Sequence, residues 1–533
     1  MKMSFHRSLI AVAITTAFAT PAAMAGTAIP FTSGNLIVSR TVYQGTAATV
    51  TVGQTLSGGG HATNDGTFPN VFKNEVPDAA FGVASAIFLD QLSTRGKNVG
   101  SLAINSNQIT SSFASKSELA LNLSADGSAV TFMGYLAPLN TLDVSNSNTA
   151  AVVDATNPVT STYARAVVQV NLSNGAVQST AVNSYSGNNG RAAVLANGSY
   201  YMVGNAGNGN ASGAVLSQLS DVTGVQRIAA GSSGATTAVG VALGTYGSAS
   251  GYQRGFSIAQ LADPAKPGQN YAAGKTSKET NFRGMTVFNN TLFVSKGSGS
   301  NGVNSVYQVG ATGALADGAT ISNAAISILP GFNKLSEKVA ESPATLTATP
   351  HPFGLWFANA TTLFVADEGD GQRIGASGKV RTFAGLGEYT LTNGSWTQVQ
   401  TFQRGLVDQA AYTAGLPWNV QTDGLRNLAG RTNTDGSFTI FATTATISDE
   451  LTHDLGGDPN ELVSITIGAG STSVNTAFTV LETAAAGERL GGVAYMPESM
   501  ATPAVTAVPE PQTYALMLGG LLALSGIARR RRH

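Results

Sequence analysis

Short apolar stretches rich in β-branched and aromatic residues recur along most of the chain, separated by Gly, Asn, Asp and Ser. This spacing predicts many short antiparallel strands. Long helical periodicity is nearly absent between the two termini. The Asn-Gly pairs at 174–175 and 393–394 each lie between two alternating segments. Because Asn-Gly tolerates positive φ at both turn positions, these pairs predict β-hairpins.

A longer pattern repeats over these strands. Residues 282–302 and 352–371 each contain a glycine, an apolar strand, an Asn-containing turn and then Thr-Leu-Phe-Val. Their glycines, Gly284 and Gly354, are 70 residues apart. Fainter copies begin at Ser117, Gly190 and Gly424, a doubtful one begins at Val239, and a first strand without a following partner begins at Arg489.

Repeated units of about four strands are typical of a β-propeller, in which blades packed in a ring cover each other's faces. The repeats predict an all-β propeller of about seven four-stranded blades. They are longer than the roughly 40–45 residues of compact propeller repeats, so we expect long inserted loops, one of them at 41–70. The unpartnered strand at 491–496 is expected to complete a blade begun by 35–43.

The phrase "PFGLWFANATTLFVAD" also resembles propeller repeats of the NHL and similar types. The alternatives are a β-sandwich array and a right-handed β-helix. A β-helix has a period of roughly 20–30 residues, and the sequence shows no such period.

Composition limits the functions open to the chain. Charged residues make up 11% of it and the net charge is −1, so nothing indicates a nucleic-acid partner. It contains no cysteine, which excludes disulfides, thiolate metal sites and cysteine nucleophiles. The segment 26–500 is long enough for a large single core.

The N-terminus has the pattern of a secretory signal peptide. A basic start precedes a short apolar stretch, and small residues follow at Ala23 and Ala25. We expect cleavage after Ala25, which leaves Gly26 as the first mature residue and 1–25 as the signal helix. The alternative is a retained N-terminal anchor, but the apolar stretch is short for spanning a bilayer.

The C-terminus contains three elements in order after a linker at 501–508. The first is Pro509-Glu510-Pro511, the second is the uncharged segment 514–528, and the third is a cluster of four arginines, Arg529, Arg530, Arg531 and Arg532. The 15 uncharged residues are fewer than the roughly 20 of a usual spanning helix. The arginines are expected to stay on the cytoplasmic side of the inner membrane.

These elements, at 509–533, resemble the PEP-CTERM sorting signal. The resemblance implies recognition of the tail by an exosortase, export by the Sec machinery and transient anchoring by a short transmembrane helix before delivery to the cell envelope or the extracellular space. Family members occur in Gram-negative bacteria that make exopolysaccharide. The alternative is an uncleaved tail anchor.

Two acidic segments are candidate sites. Asp367, Glu368 and Asp370 follow a predicted strand in a Gly-containing loop, and such oxygens could bind Ca²⁺. The alternative is a solvated turn. The segment 449–461 is the densest ionisable cluster, in which His453 could act as a general base or the segment could be a charged loop. Its ionisable members are Asp449, Glu450, His453, Asp454, Asp458 and Glu461.

Other patterns have structural readings. The stretch "GSGSNG" at 297–302 is followed by a strand pattern, so it predicts a turn and not a dinucleotide site. Three histidines, His61, His351 and His453, are too far apart in sequence to indicate a zinc centre. Trp356 is expected in the core, although tryptophans can stack on sugar rings. Common hydrolase, nucleotide and zincin signatures are absent.

The sequence therefore favours an exported, envelope-sorted propeller that acts as a surface or extracellular-matrix protein associated with exopolysaccharide, without catalysis. The alternative is a Ca²⁺-dependent propeller hydrolase of the lactonase, phosphatase or glycosidase type, which rests on fold analogy.

Overall fold

The structure is a computed structural model. It describes residues 31–71, 73–75, 82–115, 118–243, 253–340, 349–371, 383–448 and 456–498. The predicted signal peptide and the predicted C-terminal sorting signal lie outside these residues.

Strands dominate the described part of the chain. In chain order they are β1 Leu36–Val42, β2 Ala62–Thr63, β3 Lys73–Asn74, β4 Val83–Leu92, β5 Asn98–Ala103, β6 Ser111–Phe113, β7 Asn122–Leu123, β8 Ala129–Tyr135, β9 Arg165–Asn171, β10 Val177–Val182, β11 Gly190–Ala196, β12 Ser199–Gly204, β13 Gly224–Ala229, β14 Thr237–Ala238, β15 Ala242–Leu243, β16 Gln253–Arg254, β17 Met285–Phe288, β18 Thr291–Lys296, β19 Ser305–Val309, β20 Ile326–Ile328, β21 Pro352–Asn359, β22 Thr362–Asp367, β23 Gly385–Thr392, β24 Ser395–Phe402, β25 Val420–Thr432, β26 Phe438–Ser448, β27 Glu461–Ile467, β28 Thr479–Thr483 and β29 Glu488–Tyr495. The α-helices are α1 Gly213–Asp221 and α2 Glu337–Ala340, and 3-10 turns occur at Val144–Asn146, Ile258–Gln260 and Gly318–Asn323.

The described strands form six larger antiparallel sheets, which we number as blades 1 to 6. From the innermost strand outward they are β29-β1-β4-β5, β7-β8-β9-β10, β11-β12-β13-β14, β17-β18-β19-β20, β21-β22-β23-β24 and β25-β26-β27-β28. The innermost strand of each blade contacts the innermost strand of the next blade. Strand β29 of blade 1 contacts both β25 of blade 6 and β7 of blade 2, so the ring is closed. The prediction of an all-β propeller is confirmed.

The blade number is six and not about seven. The difference comes from the doubtful copy at Val239. The strand before it, Thr237–Ala238, is the outermost strand of blade 3, and the strand after it pairs only with Gln253–Arg254 in a two-stranded sheet. Among the described residues, which omit 244–252, this segment has no further strand that could build a separate blade.

The ring closes through the two ends of the folded part of the chain. Strand β29 pairs antiparallel with β1, with Leu36 opposite Tyr495 and Val42 opposite Glu488. The C-terminal strand is thus the innermost strand of the blade that β1 begins, as the unpartnered strand at 491–496 predicted. A closed ring leaves no inner sheet edge open to another chain.

The two Asn-Gly turns differ. Asn393 and Gly394 have φ of 52° and 77° and join β23 to β24 by a two-residue turn, as predicted. At the other pair, only Gly175 has positive φ, and the closing pair is Val170 with Val177. That hairpin exists, but a longer turn closes it than the Asn-Gly motif predicts.

A buried apolar cluster fills each of the six interfaces between neighbouring blades. In the cluster between blades 5 and 6, Phe364 and Leu386 pack with Leu425 and Ile440. A seventh cluster holds the long insertion between β1 and β4 against Trp418. Burial of this kind, at about 25 cal/mol per Å² of apolar surface, stabilises a ring that has no disulfide.

Buried hydroxyls also join the blades. Ser39 on β1 donates to the carbonyl of Leu119 at 2.6 Å, which links blades 1 and 2. Thr131 on β8 donates to the carbonyl of Ala193 at 2.6 Å, which links blades 2 and 3. Ser295 makes the corresponding bond from blade 4 to blade 5. In each case the second strand of one blade is fixed to the inner edge of the next, which sets the spacing of the ring.

Candidate functional site

The ring has two mouths, defined by the direction of its innermost strands. Each blade begins at its innermost strand and continues outward through antiparallel neighbours, so the innermost strands run the same way around the axis. We call the end where they begin the upper mouth, near Pro352 and Arg489. The end where they finish, near Gly430 and Tyr495, is the lower mouth.

An open cavity of about 590 Å³ lies at the lower mouth. Blades 5, 6 and 1 supply its walls. The lining residues are Trp356, Gly430, Arg431, Thr432, Asn433, Thr434, Tyr495, Pro497 and Glu498. This volume and the mixture of two aromatic rings with several polar groups fall in the range of small-ligand sites.

Trp356 is held in place by its neighbours while it remains half-buried. Its indole stacks on Phe364 with ring centroids 5.9 Å apart and meets Phe438 edge-on at 6.1 Å. On another side it lies against Gly430, where a Cβ atom would come within 2.5 Å of the indole. The glycine therefore permits an orientation that any larger residue would block.

Arg431 lies across the other aromatic ring of the cavity. Its guanidinium carbon is 5.6 Å from the centroid of the Tyr495 ring, whose opposite side stacks on Phe441. Its Nη1 atom is 3.4 Å from Oε1 of Glu498. Its buried Nε atom has no hydrogen-bond partner among the described residues. The cavity thus offers apolar ring surface next to a hydrogen-bond donor that a ligand can use.

Trp356 is more exposed than the expected position in the core implies. Trp356 lines the cavity, whereas Trp396 and Trp418 are only 6% and 4% exposed. Trp418 donates its indole N–H to Asp458 at 2.8 Å. The inner-strand position of Trp356 correctly indicated packing against the blade, but its place near the strand end also exposes it at the mouth.

The three carboxylates of the candidate calcium loop lie at the upper mouth, and each has a different environment. Asp367 is buried, and its oxygens accept the backbone N–H groups of His351 at 2.6 Å and Gly369 at 3.0 Å. Glu368 forms an ion pair with Arg426 at 3.3 Å. Asp370 is exposed. Asp367 and Glu368 therefore hold the protein's own groups.

Burial raises the pKa of Asp367, although the nearby His351 and the two backbone N–H groups oppose this. The neighbouring Asp423 accepts the N–H of Gly371 at 2.8 Å and so fixes the loop to β25. In the part of the chain that the structure describes, no three acidic or histidine side chains are grouped so as to hold a metal ion. The calcium interpretation remains an untested prediction.

The second acidic segment is only partly described. Asp449, Glu450, His453 and Asp454 lie outside the described residues. Asp458 accepts from Trp418, and Glu461 accepts from Gln409 and Thr483 at 3.3 and 3.2 Å. Burial raises the pKa of Glu461. These two acids support the start of β27.

Two further sequence features have simple structural roles. His61 pairs with Glu75 at 2.7 Å, with both side chains more than half exposed. The "GSGSNG" segment joins β18 to β19, which confirms a turn between strands and not a strand followed by a helix.

Sequence reasoning missed a set of arginines at the upper mouth. Arg191, Arg426 and Arg489 lie on innermost strands and are 3%, 5% and 4% exposed, and Arg283 lies just before β17. A signal was present, because an arginine stands within two residues of a glycine at the start of four of the repeat copies.

A comparison with known protein families finds a match for the C-terminal tail. Residues 507–532 match the model of the PEP-CTERM protein-sorting motif. The match includes the Pro-Glu-Pro sequence, the uncharged segment and the four arginines, and it confirms the resemblance to the PEP-CTERM sorting signal. Among the described residues, which exclude this tail, no helix is long and apolar enough to cross a bilayer.

Comparisons of the whole chain add little. No curated protein matches the chain. The N-terminal domain of Nup159 aligns at 8% identity over 86% of this chain and 96% of that chain, with a TM-score of 0.28. A mutant of the Synechocystis apocarotenoid oxygenase aligns at 8% identity over 76% of this chain and 57% of that chain, with a TM-score of 0.22. Scores this low support no inference about function.

The tail motif implies export and recognition by an exosortase. It follows directly on a ring whose last strand also closes the first blade. The chain is therefore a six-bladed β-propeller that carries a C-terminal PEP-CTERM protein-sorting motif.

Proposed function

We propose that this exported, sorted propeller is a surface or extracellular-matrix protein that binds exopolysaccharide at its lower mouth. The observation that carries the proposal is the cavity lined by Trp356 and Tyr495. Sugar rings have an apolar face that stacks on aromatic side chains and hydroxyls that need hydrogen-bond partners. Arg431, Asn433 and Glu498 are polar groups of the same cavity.

The delivery route makes such a ligand accessible. The Sec machinery would export the chain, cleavage after Ala25 would release the mature N-terminus, and segment 514–528 would hold it in the inner membrane until an exosortase acts on the tail. In this route the propeller finishes at the cell envelope or outside the cell, where exopolysaccharide is made and retained.

Binding of purified exopolysaccharide tests the proposal. The full chain is expected to be retained on immobilised polysaccharide, and Trp356→Ala should reduce retention at least tenfold because it removes the stacking surface. Intrinsic fluorescence gives a second readout, since the other two tryptophans are buried. Val399→Ser is the matched control, because Val399 is 57% exposed on a strand away from the cavity.

Two results would contradict this function. One is the absence of retention of the wild-type chain. The other is equal retention of the wild type and a Trp356→Ala variant that has a native circular dichroism spectrum.

Sorting is tested separately from binding. In a host with an exosortase, the tail should be processed, and replacing Pro509-Glu510-Pro511 by three alanines should prevent processing. Identical tail masses in hosts with and without the exosortase would count against the sorting route and would leave the polysaccharide result unaffected.

A further inference from the structure

The upper mouth collects charged side chains from all six blades. Four are arginines, which we call the arginine ring: Arg489 from blade 1, Arg191 from blade 3, Arg283 from blade 4 and Arg426 from blade 6. The acids at this end are Glu118 before the innermost strand of blade 2, Asp367 and Glu368 at the end of β22 of blade 5, and Asp423 on β25 of blade 6. Both signs of charge therefore lie at this end of the axis.

Three arginines of the ring have contacts with the protein. They are Arg426 with Glu368 at 3.3 Å, Arg489 with the carbonyl of Ser115, and Arg283 with the hydroxyl of Ser298. Arg191 differs from them. It is 3% exposed, and its buried Nε and Nη1 atoms have no hydrogen-bond partner among the described residues.

Arg191 lies on β11, the innermost strand of blade 3, which contacts the innermost strands of blades 2 and 4. Burial lowers the pKa of its guanidinium well below the ordinary value, and Arg283 of the next blade lowers it further. Tyr135, Glu118 and Glu368 favour the charged form.

The two glutamates already have partners. Glu118 accepts hydrogen bonds from the hydroxyl of Tyr135, the backbone N–H of Ser112 at 3.0 Å and the side-chain amide of Asn189 at 2.8 Å. Burial raises its pKa, which disfavours the carboxylate that could neutralise Arg191. Glu368 is paired with Arg426.

Two buried lysines extend the positive region. Lys278 donates to the carbonyls of Ala206 and Gly207 at 2.8 and 2.5 Å, and Lys296 donates to the side chain of Asn304 at 3.0 Å. The pKa of each is lowered to about 7, first by burial, and Arg191 contributes in both cases. Glu337 and Glu279 oppose this shift at Lys296. Among the described residues, no ion pair joins Arg191 to an acid, and its Nε and Nη1 atoms have no hydrogen-bond partner.

We propose that the upper mouth binds a small oxyanion, a carboxylate or phosphate group whose oxygens accept hydrogen bonds from the guanidinium of Arg191. A buried charge without a partner is costly, so a counter-charge at this place is strongly favoured. The planar guanidinium fork matches the two oxygens of a carboxylate or phosphate. The site is separate from the lower mouth and does not depend on exopolysaccharide binding there.

Calorimetric titration of the full chain with two probes tests the proposal. The probes are inorganic phosphate and galacturonate, with sodium chloride at matched ionic strength as the blank. We expect saturable binding of at least one probe and a rise in Tm with its concentration, because a ligand that binds only the folded state stabilises it. Binding of one probe only identifies which oxyanion fits.

Variants at the two mouths distinguish binding at Arg191 from a general effect of net charge on anion binding. Arg191→Gln should weaken probe binding at least tenfold and should not lower the Tm in chloride, since it removes an uncompensated charge. Arg431→Gln, at the other mouth, should bind phosphate as the wild type does. Arg283→Gln serves as a second upper-mouth variant if Arg191→Gln does not fold, with the same expected loss.

The proposal is overturned by either of two results. The wild type could show no saturable binding of phosphate or galacturonate beyond chloride. Alternatively, the folded upper-mouth variant could bind the probe with unchanged affinity.

Discussion

The two mouths of the propeller are formed by the same innermost strands but contain different kinds of side chain. At the upper mouth, charged side chains from every blade are buried around the axis, and Arg191 remains without a hydrogen-bond partner for two of its nitrogens among the described residues. At the lower mouth, Trp356 and Tyr495 present ring surface to an open cavity.

The difference follows from strand direction. At the start of the innermost strands, arginines from several blades are buried, where repulsion between like charges is strong because the dielectric is low. At the ends of β25 and β29, an open cavity leaves room for a ligand. One fold therefore offers two kinds of recognition, one dominated by charge and one by aromatic surface.

The largest expected effect comes from removing the acid at the upper mouth. Glu118→Ala leaves the hydroxyl of Tyr135, the N–H of Ser112 and the amide of Asn189 without their acceptor. We expect a loss of about 3–5 kcal/mol in the free energy of unfolding, measured by urea denaturation.

Glu75→Ala is the matched control for that experiment. Glu75 pairs with His61 at the surface, and such pairs contribute little to stability. Equal losses in the two variants would show that burial does not distinguish the upper mouth from the surface.

The second prediction concerns pH. In the folded state Lys278 and Lys296 have pKa values of about 7, below the ordinary value of 10.5. The unfolded chain therefore binds more protons between these values, and stability rises as pH increases from about 7 to 9.5. We expect a gain on the order of 2 kcal/mol, seen as a rising Tm, before tyrosine ionisation begins.

A Lys278→Met variant isolates one of these groups. Its Tm should rise less than that of the wild type over the same interval, because Lys278 lies near Lys275 and Arg191 and its neutral form relieves their repulsion. A Tm that is constant or falls between pH 7 and 9.5 in the wild type would argue against buried lysines at this mouth.

The third prediction concerns the lower mouth. In Gly430→Ala, the added methyl would come within 2.5 Å of the Trp356 indole, which must then move. We expect a loss of about 1–2 kcal/mol from overpacking, a shift in the tryptophan emission spectrum and weaker polysaccharide retention. Gly468→Ala is the control, because Gly468 also lacks a positive φ and the atom nearest to its added Cβ, the Cβ of Ser437, would be 3.3 Å away.

An unchanged emission spectrum in Gly430→Ala would contradict the tight contact between this glycine and the indole. Phosphate binding at the upper mouth should be the same in this variant as in the wild type, which keeps the two sites experimentally distinct.

Much of the ring could be predicted from local patterns. The repeated order of glycine, strand, Asn turn and strand gave the blades that begin near Gly284 and Gly354, and the unpartnered strand at 491–496 gave the closure. These features are local, because hairpin turns and alternation are set by neighbouring residues. The extra blade expected at Val239 was wrong because a short apolar stretch there has no inner strand among the described residues.

The upper mouth could not be predicted in the same way. Its charged residues are separated by 70 residues or more in most cases, and only ring closure brings them together. Trp356 posed a similar difficulty. The sequence pattern around it indicates a strand that faces the core, but it does not show whether the indole is exposed at the end of that strand. The order of blades, and not any single motif, determines both sites.

The smallest expected effect lies in the loop of Asp367, Glu368 and Asp370. The first two carboxylates bind groups of the protein, whereas Asp370 is exposed. We therefore expect Asp370→Asn to change the free energy of unfolding by no more than about 0.5 kcal/mol. Adding Ca²⁺ or EDTA should leave the Tm of both chains unchanged, because a carboxylate must release its present partner before it can coordinate an ion. A Tm that rises with Ca²⁺ in the wild type but not in Asp370→Asn would instead establish a calcium site, and the upper mouth would then recognise cations at its rim as well as anions at its centre.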